Sequence, residues 1–118
     1  MKAEKIDKCI YWIYTDIVMD VYKKVQECTG FQWDKHNIQK NWEKHKVSTA
    51  ESEQAFFNKP LIIVKDMQHS QEEDRFYALG KTDQGRRLFI AFTIHKKLIR
   101  VISSRGMNKK ERKVYEKG

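Results

Sequence analysis

The stretch from Leu61 to Ser103 limits the possible folds more than any other part of the chain. Four runs within it, Leu61 to Val64, Arg75 to Lys81, Arg87 to His95 and Leu98 to Ser103, are rich in β-branched and aromatic residues and are bounded by turn formers. Asp83-Gln84-Gly85 predicts a hairpin between the second and third runs, and His95-Lys96-Lys97 a tighter one between the third and fourth. Connections this short favour antiparallel neighbours. Leu88, Ile90, Phe92 and Ile94 share one face of the third run, while Phe89, Ala91, Thr93 and His95 share the other. Both faces are apolar at the centre, so helices or a partner must cover both.

Helical signals lie on either side of this block. Ile6, Ile10, Ile13, Ile17, Val21 and Val25 recur at spacings of three and four, which predicts a helix over residues 3–28, stopped at Gly30. Phe31-Gln32-Trp33 is a short strand candidate, and Asp34 is placed to cap a helix from Lys35 to about His45. Ser48 and Glu51 have capping-box spacing, opening a further helix through Phe57 that Pro60 cannot continue. Asn108 and Glu111 repeat that spacing before a last helix to about Lys117. Segregated helices and consecutive hairpins predict an α+β fold rather than a doubly wound sheet. The expected organisation is a helical extension over residues 1–30 and one domain over 31–118.

The formal charge of +8 points to a polyanionic partner, nucleic acid or an acidic protein. The charge is concentrated: Lys96 to Lys117 holds nine basic residues against two acids. Lys35, Lys40, Lys44 and Lys46 form a second group, beside His36 and His45. Cys9 and Cys28 are too few for a zinc site and read as packing residues, and His36, His45, His69 and His95 lack zinc spacing. No metal or other cofactor is therefore expected. The chain has no P-loop, no dinucleotide fingerprint and no nucleophile elbow. It carries no secretory pattern and no stretch of 18 uncharged apolar residues, so a cytoplasmic protein is expected.

From Phe31 onward an ordered series of blocks resembles the BrnT family of toxins. The series is Phe31-x-Trp33-Asp34, Asn41-x-x-Lys44-His45-x-Val47-Ser48, Pro60, Glu73-x-Arg75 before Ala78-Leu79-Gly80, Ile99-Arg100-Val101-Ile102-Ser103-Ser104-Arg105, and finally Glu111-Arg112 and Tyr115. The departures are Asn37 where the family usually has Lys, Lys46 for Gly, His95 for Arg and Ser104 for Ala. The resemblance implies a RelE-like fold: an antiparallel sheet of about four to five strands with N-terminal helices and a C-terminal helix. It also implies a type II toxin that cleaves RNA without a metal. Such a toxin is silenced in a hetero-oligomer by a BrnA-type antitoxin, through which alone it would reach operator DNA.

Cleavage of this kind uses the ribose 2′-hydroxyl as nucleophile, with an acid/base group and cations on the phosphoryl oxygens. His45 is the acid/base candidate, because histidine gives or takes a proton near neutrality. Arg75, Arg100 and Arg105 are the candidate phosphate clamp, because guanidinium forks bind phosphate oxygens in pairs. Lys44, Lys109, Lys110, Arg112 and Tyr115 are candidate RNA contacts. Arg100 and Arg105 are five residues apart, so strict alternation puts them on opposite faces; they share one site only if the strand bulges near Ser103-Ser104. Each residue also has an ordinary alternative: a hydrogen-bonded helix-end histidine, arginines paired with carboxylates such as Glu73 or Asp74, a core tyrosine. Two further readings stay open, a BrnT-like module that docks an antitoxin or nucleic acid without turnover and an N-terminal helix at a membrane surface. Arginines converging on one pocket favour catalysis; arginines neutralised separately favour binding.

Overall fold

The computed structural model describes residues 20–70 and 73–117. Its frame is a five-stranded sheet in the order β1-β5-β4-β3-β2, formed by β1 (Gly30–Gln32), β2 (Ile62–Lys65), β3 (Arg75–Lys81), β4 (Arg87–His95) and β5 (Leu98–Gly106). All pairings are antiparallel except β1 with β5, which is parallel. The helices are α1 (residues 20–26), α2 (Lys35–His45), α3 (Thr49–Phe57) and α4 (Lys109–Lys117). The expected helix over 3–28 is seen only in α1; residues 3–19, with Cys9, lie outside the described residues.

The capping signals act as the sequence predicts. Asp34 accepts from the backbone N–H groups of His36 and Asn37, and Ser48 and Glu51 form a reciprocal capping box. Glu111 accepts from the Asn108 N–H while Asn108 Oδ1 accepts from the Glu111 N–H. At the end of α2, Lys46 adopts the left-handed conformation (φ 53°, ψ 42°) that glycine favours. The turn is therefore kept without the glycine usual in the family, at the expense of backbone strain.

Alternation of the strands divides the sheet into two faces. Leu88, Ile90 and Phe92 of β4 are fully buried under α2 and α3, and Phe56 of α3 meets Phe92 edge-on at 5.1 Å. Gly80 admits this close packing, since a Cβ there would lie 2.7 Å from the Ala55 carbonyl oxygen. Val21 of α1 joins the same core, and Tyr22 Oη donates to the Leu61 carbonyl while accepting from the Ile63 N–H. Among the described residues the opposite face is covered only at one end. There Leu79, Met107 and Tyr115 cluster beneath α4, with Ile62 and Phe89 against them. Among the described residues the other end of that face is open.

Two acids tie distant elements. Burial pushes the Glu51 carboxyl up, but the Ser48 N–H and Arg86 outweigh it and hold the group below the usual glutamate range. Glu111 behaves alike: burial raises it, and Arg105 with the Asn108 N–H brings it lower. Because both pKa values are lower folded than unfolded, their stabilisation is present above the ordinary glutamate value of about 4.3 and is lost as pH falls through the folded values. Glu111→Gln is expected to lower stability by about 2 kcal/mol at pH 7, and by much less at pH 3, in urea titrations. Lys46→Gly is expected to raise stability by about 1 kcal/mol, read as a higher urea midpoint at unchanged slope.

Candidate active site

The open face is organised in rows of residues paired across strands. Gln32, Arg100, Thr93 and Arg75 form one row through β1, β5, β4 and β3. Ser103, Ala91, Tyr77 and Val64 form the next, and Arg105, Phe89, Leu79 and Ile62 the one under α4.

Arg100 and Arg105 share this face because β5 contains one extra residue. Arg100 pairs with Thr93 and Val101 with Phe92, but the next pair is Ser103 with Ala91, leaving Ile102 unmatched. The buried positions of β5 accordingly fall at Ile99, Val101 and Ser104, with a gap of three where alternation would give two. The bulge required by the sequence is present, at Ile102 rather than at Ser103-Ser104. Helix α2 grips it from the core side. Asn37 Nδ2 donates to the Val101 carbonyl (3.5 Å), Lys40 Nζ to the Ile102 carbonyl (3.2 Å), and Asn41 Oδ1 accepts from the Ser104 N–H (3.2 Å). The Ser104 hydroxyl is bonded by Ser52 of α3 at 2.9 Å.

An open cavity of about 580 Å³ lies at the Arg75–Thr93–Arg100 row. Asn37 at the start of α2 lines it, as do Gln68, His69 and Glu73 from the loop between β2 and β3. That loop is anchored at its base: the Asp66 N–H donates to the Arg75 carbonyl, and the Arg75 N–H donates to the Ser70 hydroxyl. Asp66 accepts from the backbone N–H groups of Gln68 and His69, and His69 Nδ1 lies 2.8 Å from Asp66 Oδ2. Burial pushes the Asp66 carboxyl up, but His69 and those N–H groups outweigh it and hold it below its usual range. An ionised carboxylate only accepts, so the Nδ1 facing Asp66 is the donor of this contact. Thr93 is 4% exposed, and its hydroxyl oxygen has no hydrogen-bond partner among the described residues. Gln32 Oε1 is likewise buried and unpartnered. Polar atoms of this kind are usually satisfied by water or a ligand.

Arg75 and Arg100 form no ion pair among the described residues; Asp74 is taken by Lys65 at 3.3 Å. Arg105 differs. Both its terminal nitrogens bond Glu111, at 2.8 and 2.9 Å, and its guanidinium lies 4.2 Å from the centre of the Phe89 ring. It fastens α4 to the sheet and is not free to grip an anion. His45 lies at the far end of α2, where its carbonyl accepts from Arg86, and it does not line the arginine cavity. Lys44 is exposed beside it, and Lys109, Lys110 and Arg112 are exposed on α4. Tyr115 is 4% exposed, packs in the core under α4 and donates to the Pro60 carbonyl at 2.6 Å. Its ring is enclosed and presents no face to an RNA base.

Sequence reasoning missed His69. The available signal was Asp66-x-x-His69, a turn-forming acid three residues before a histidine, which leads to a site only once the loop folds back onto Arg75. Among the described residues no group of three or more His, Cys, Asp or Glu side chains is arranged to hold a metal ion. Nor is any helix among them long and apolar enough to cross a membrane.

The grip of α2 on the bulge is measurable. Asn41→Ala strands the buried Ser104 N–H and is expected to cost about 2 kcal/mol, whereas Lys40→Ala, at a more accessible carbonyl, costs about 1 kcal/mol or less. Equal losses in urea unfolding would contradict this division.

Comparisons with known proteins follow the same lines. The family described as "Ribonuclease toxin, BrnT, of type II toxin-antitoxin system" matches residues 33–111, about two thirds of the chain. Among solved structures the chain is similar to the 1.1 Å crystal structure of the Brucella abortus ribonuclease toxin, BrnT. The TM-score is 0.52 at 19% identity, and the match covers 68% of this chain and 97% of that one. At that identity the likeness speaks for the fold. No curated protein matches the chain.

Proposed function

Because the chain belongs to the BrnT family of ribonuclease toxins of type II toxin-antitoxin systems, we propose that it is a cytoplasmic endoribonuclease that halts translation by cleaving RNA at the Arg75–Arg100 cavity. The observation that carries this reading is the convergence of both arginines on one open cavity with His69, whose ring is held from behind by Asp66. Arg75 and Arg100 stand on either side of Thr93, as a two-sided clamp on a phosphate needs. The Thr93 hydroxyl, buried and without a partner among the described residues, offers a hydrogen bond to the same oxygens.

In the reaction, His69 Nε2 takes the proton of a ribose 2′-hydroxyl. The 2′-oxygen bonds to the adjacent phosphorus, and the bond from phosphorus to the 5′-oxygen breaks. That oxygen takes a proton from solvent, leaving a 2′,3′-cyclic phosphate and a 5′-hydroxyl end. Asp66 holds the imidazole in orientation and stabilises its charged form. The arginines stabilise the charge that builds on the phosphoryl oxygens. The exposed lysines and Arg112 on α4 supply general attraction for RNA. A BrnA-type antitoxin, bound in a hetero-oligomer, would silence the enzyme and supply any contact with operator DNA.

The second reading, a module that binds without turnover, draws support from Arg105, which is neutralised by Glu111 rather than free. A cleavage assay on single-stranded RNA with EDTA present separates the two. The wild type is expected to cleave. Arg75→Ala and Arg100→Ala are each expected to slow cleavage about 100-fold or more. Arg100→Lys should not restore the rate, since lysine lacks the fork. His69→Ala should lose about 100-fold or more while keeping its thermal midpoint, and His45→Ala should stay within a few-fold. Full activity in His69→Ala with loss in His45→Ala would return the acid/base role to His45. No cleavage by the wild type would leave the binding reading.

A further inference from the structure

We propose that Tyr77 and Phe89 form a stacking subsite for one unpaired nucleobase of the RNA strand whose phosphate the arginine row grips; this rests on the reading above. The two rings are stacked at 5.1 Å with 25° between their planes. Phe89 also carries the Arg105 guanidinium at 4.2 Å, so a cation, a phenyl and a phenol form one π-stack across β5, β4 and β3. Tyr77 is the outer member and is only partly buried. In its own row its neighbours toward β1 are Ala91 and Ser103, too small to cover a ring. They leave a shelf between the arginine row and α4. A second open cavity, of about 240 Å³, borders this pair, with Val64 on one side and Lys110 and Val114 of α4 on the other.

Position relates this subsite to the first. Tyr77 lies two residues along β3 from Arg75 and on the same face, a separation of about 7 Å. A nucleotide whose phosphate sits between Arg75 and Arg100 thus has an aromatic surface within reach of its own or its neighbour's base. Lys110 provides a cation for the phosphate beyond. Aromatic rings on an exposed sheet face, flanked by basic side chains, suit stacking of splayed single-stranded bases and show little sequence preference. The groove is apolar apart from Lys110 and Glu111 on its α4 side, the latter already bonded to Arg105, and the planar pair favours a flat π-ligand over a peptide side chain.

The test measures binding by fluorescence anisotropy at low salt. The probes are a ten-nucleotide single-stranded oligodeoxynucleotide, which has no 2′-hydroxyl to react, and the matching strand with all bases removed. The full-length wild type is expected to bind the base-bearing strand about ten-fold or more tightly than the abasic one. Tyr77→Ala should lose that preference while binding the abasic strand as before, and Tyr77→Phe should retain it. Tyr77→Ala should also raise KM for RNA cleavage with little change in kcat. A wild type that does not distinguish the strands, or a Tyr77→Ala variant that still does, overturns the subsite. A variant impaired only in binding a protein partner overturns it as well, by assigning the groove to that partner. RNA cleavage by the wild type is scored in parallel: if it persists while the base preference is absent, the subsite fails and the nuclease reading stands. If both cleavage and oligonucleotide binding are absent, both fall together.

Discussion

One unmatched residue in β5 governs the functional face of this protein. Ile102 shifts the strand's alternation by one position, so that Arg100, Ser103 and Arg105 point away from the core while Val101 and Ser104 point into it. Without it, Arg105 would turn toward α2 and α3, where a charge would be buried with no partner, at a cost of several kcal/mol. The bulge is held by side chains of α2: Asn37, Lys40 and Asn41 take up the carbonyls and N–H that an uninterrupted ladder would have used. The polar side chains on the core side of α2 are thus explained. They satisfy a backbone irregularity that an apolar helix face would leave unpaired.

The same constraint separates paired from unpaired cations among the described residues. Arg105, once on the open face, meets Glu111 in a two-point bond and locks α4 over Phe89 and Leu79. Arg86 ties α3 to the end of α2 through Glu51 and the carbonyls of His45 and Lys46. Arg87 pairs with Glu116 and Lys65 with Asp74. Arg75 and Arg100 are not engaged in this way among the described residues, and they flank a buried hydroxyl that also has no partner there. A strongly basic chain can thus use three of its six arginines, Arg86, Arg87 and Arg105, as ordinary fasteners, while Arg75 and Arg100 stay unpaired beside the cavity among the described residues. Net charge alone does not reveal which two.

The family is carried by short blocks whose structural duties are now visible. Asn41 and Ser104 meet each other across the core, Gly80 admits Ala55, and Glu111 with Asn108 starts α4 while holding Arg105. These contacts preserve the fold. They do not specify catalysis, and two residues singled out in the sequence, Arg105 as part of a phosphate clamp and Tyr115 as an RNA contact, are engaged in docking and packing.

Local chemistry was legible from the sequence because it acts over three or four residues. The caps at Asp34, Ser48 and Asn108, the hairpin turns at Gly85 and Lys96-Lys97, and the alternation of β4 each depend on neighbours in the chain. The need for a bulge between Arg100 and Arg105 could also be deduced, since parity is a property of spacing. What only the tertiary structure decided is which side chains meet across distance. The loop that returns His69 to Arg75, the carboxylate that claims Arg105, and the end of α2 that carries His45 away from the arginine cavity all depend on how separate elements pack. Side-chain contacts between elements far apart in sequence leave no periodic trace along the chain, so no reading of spacing could have ranked them.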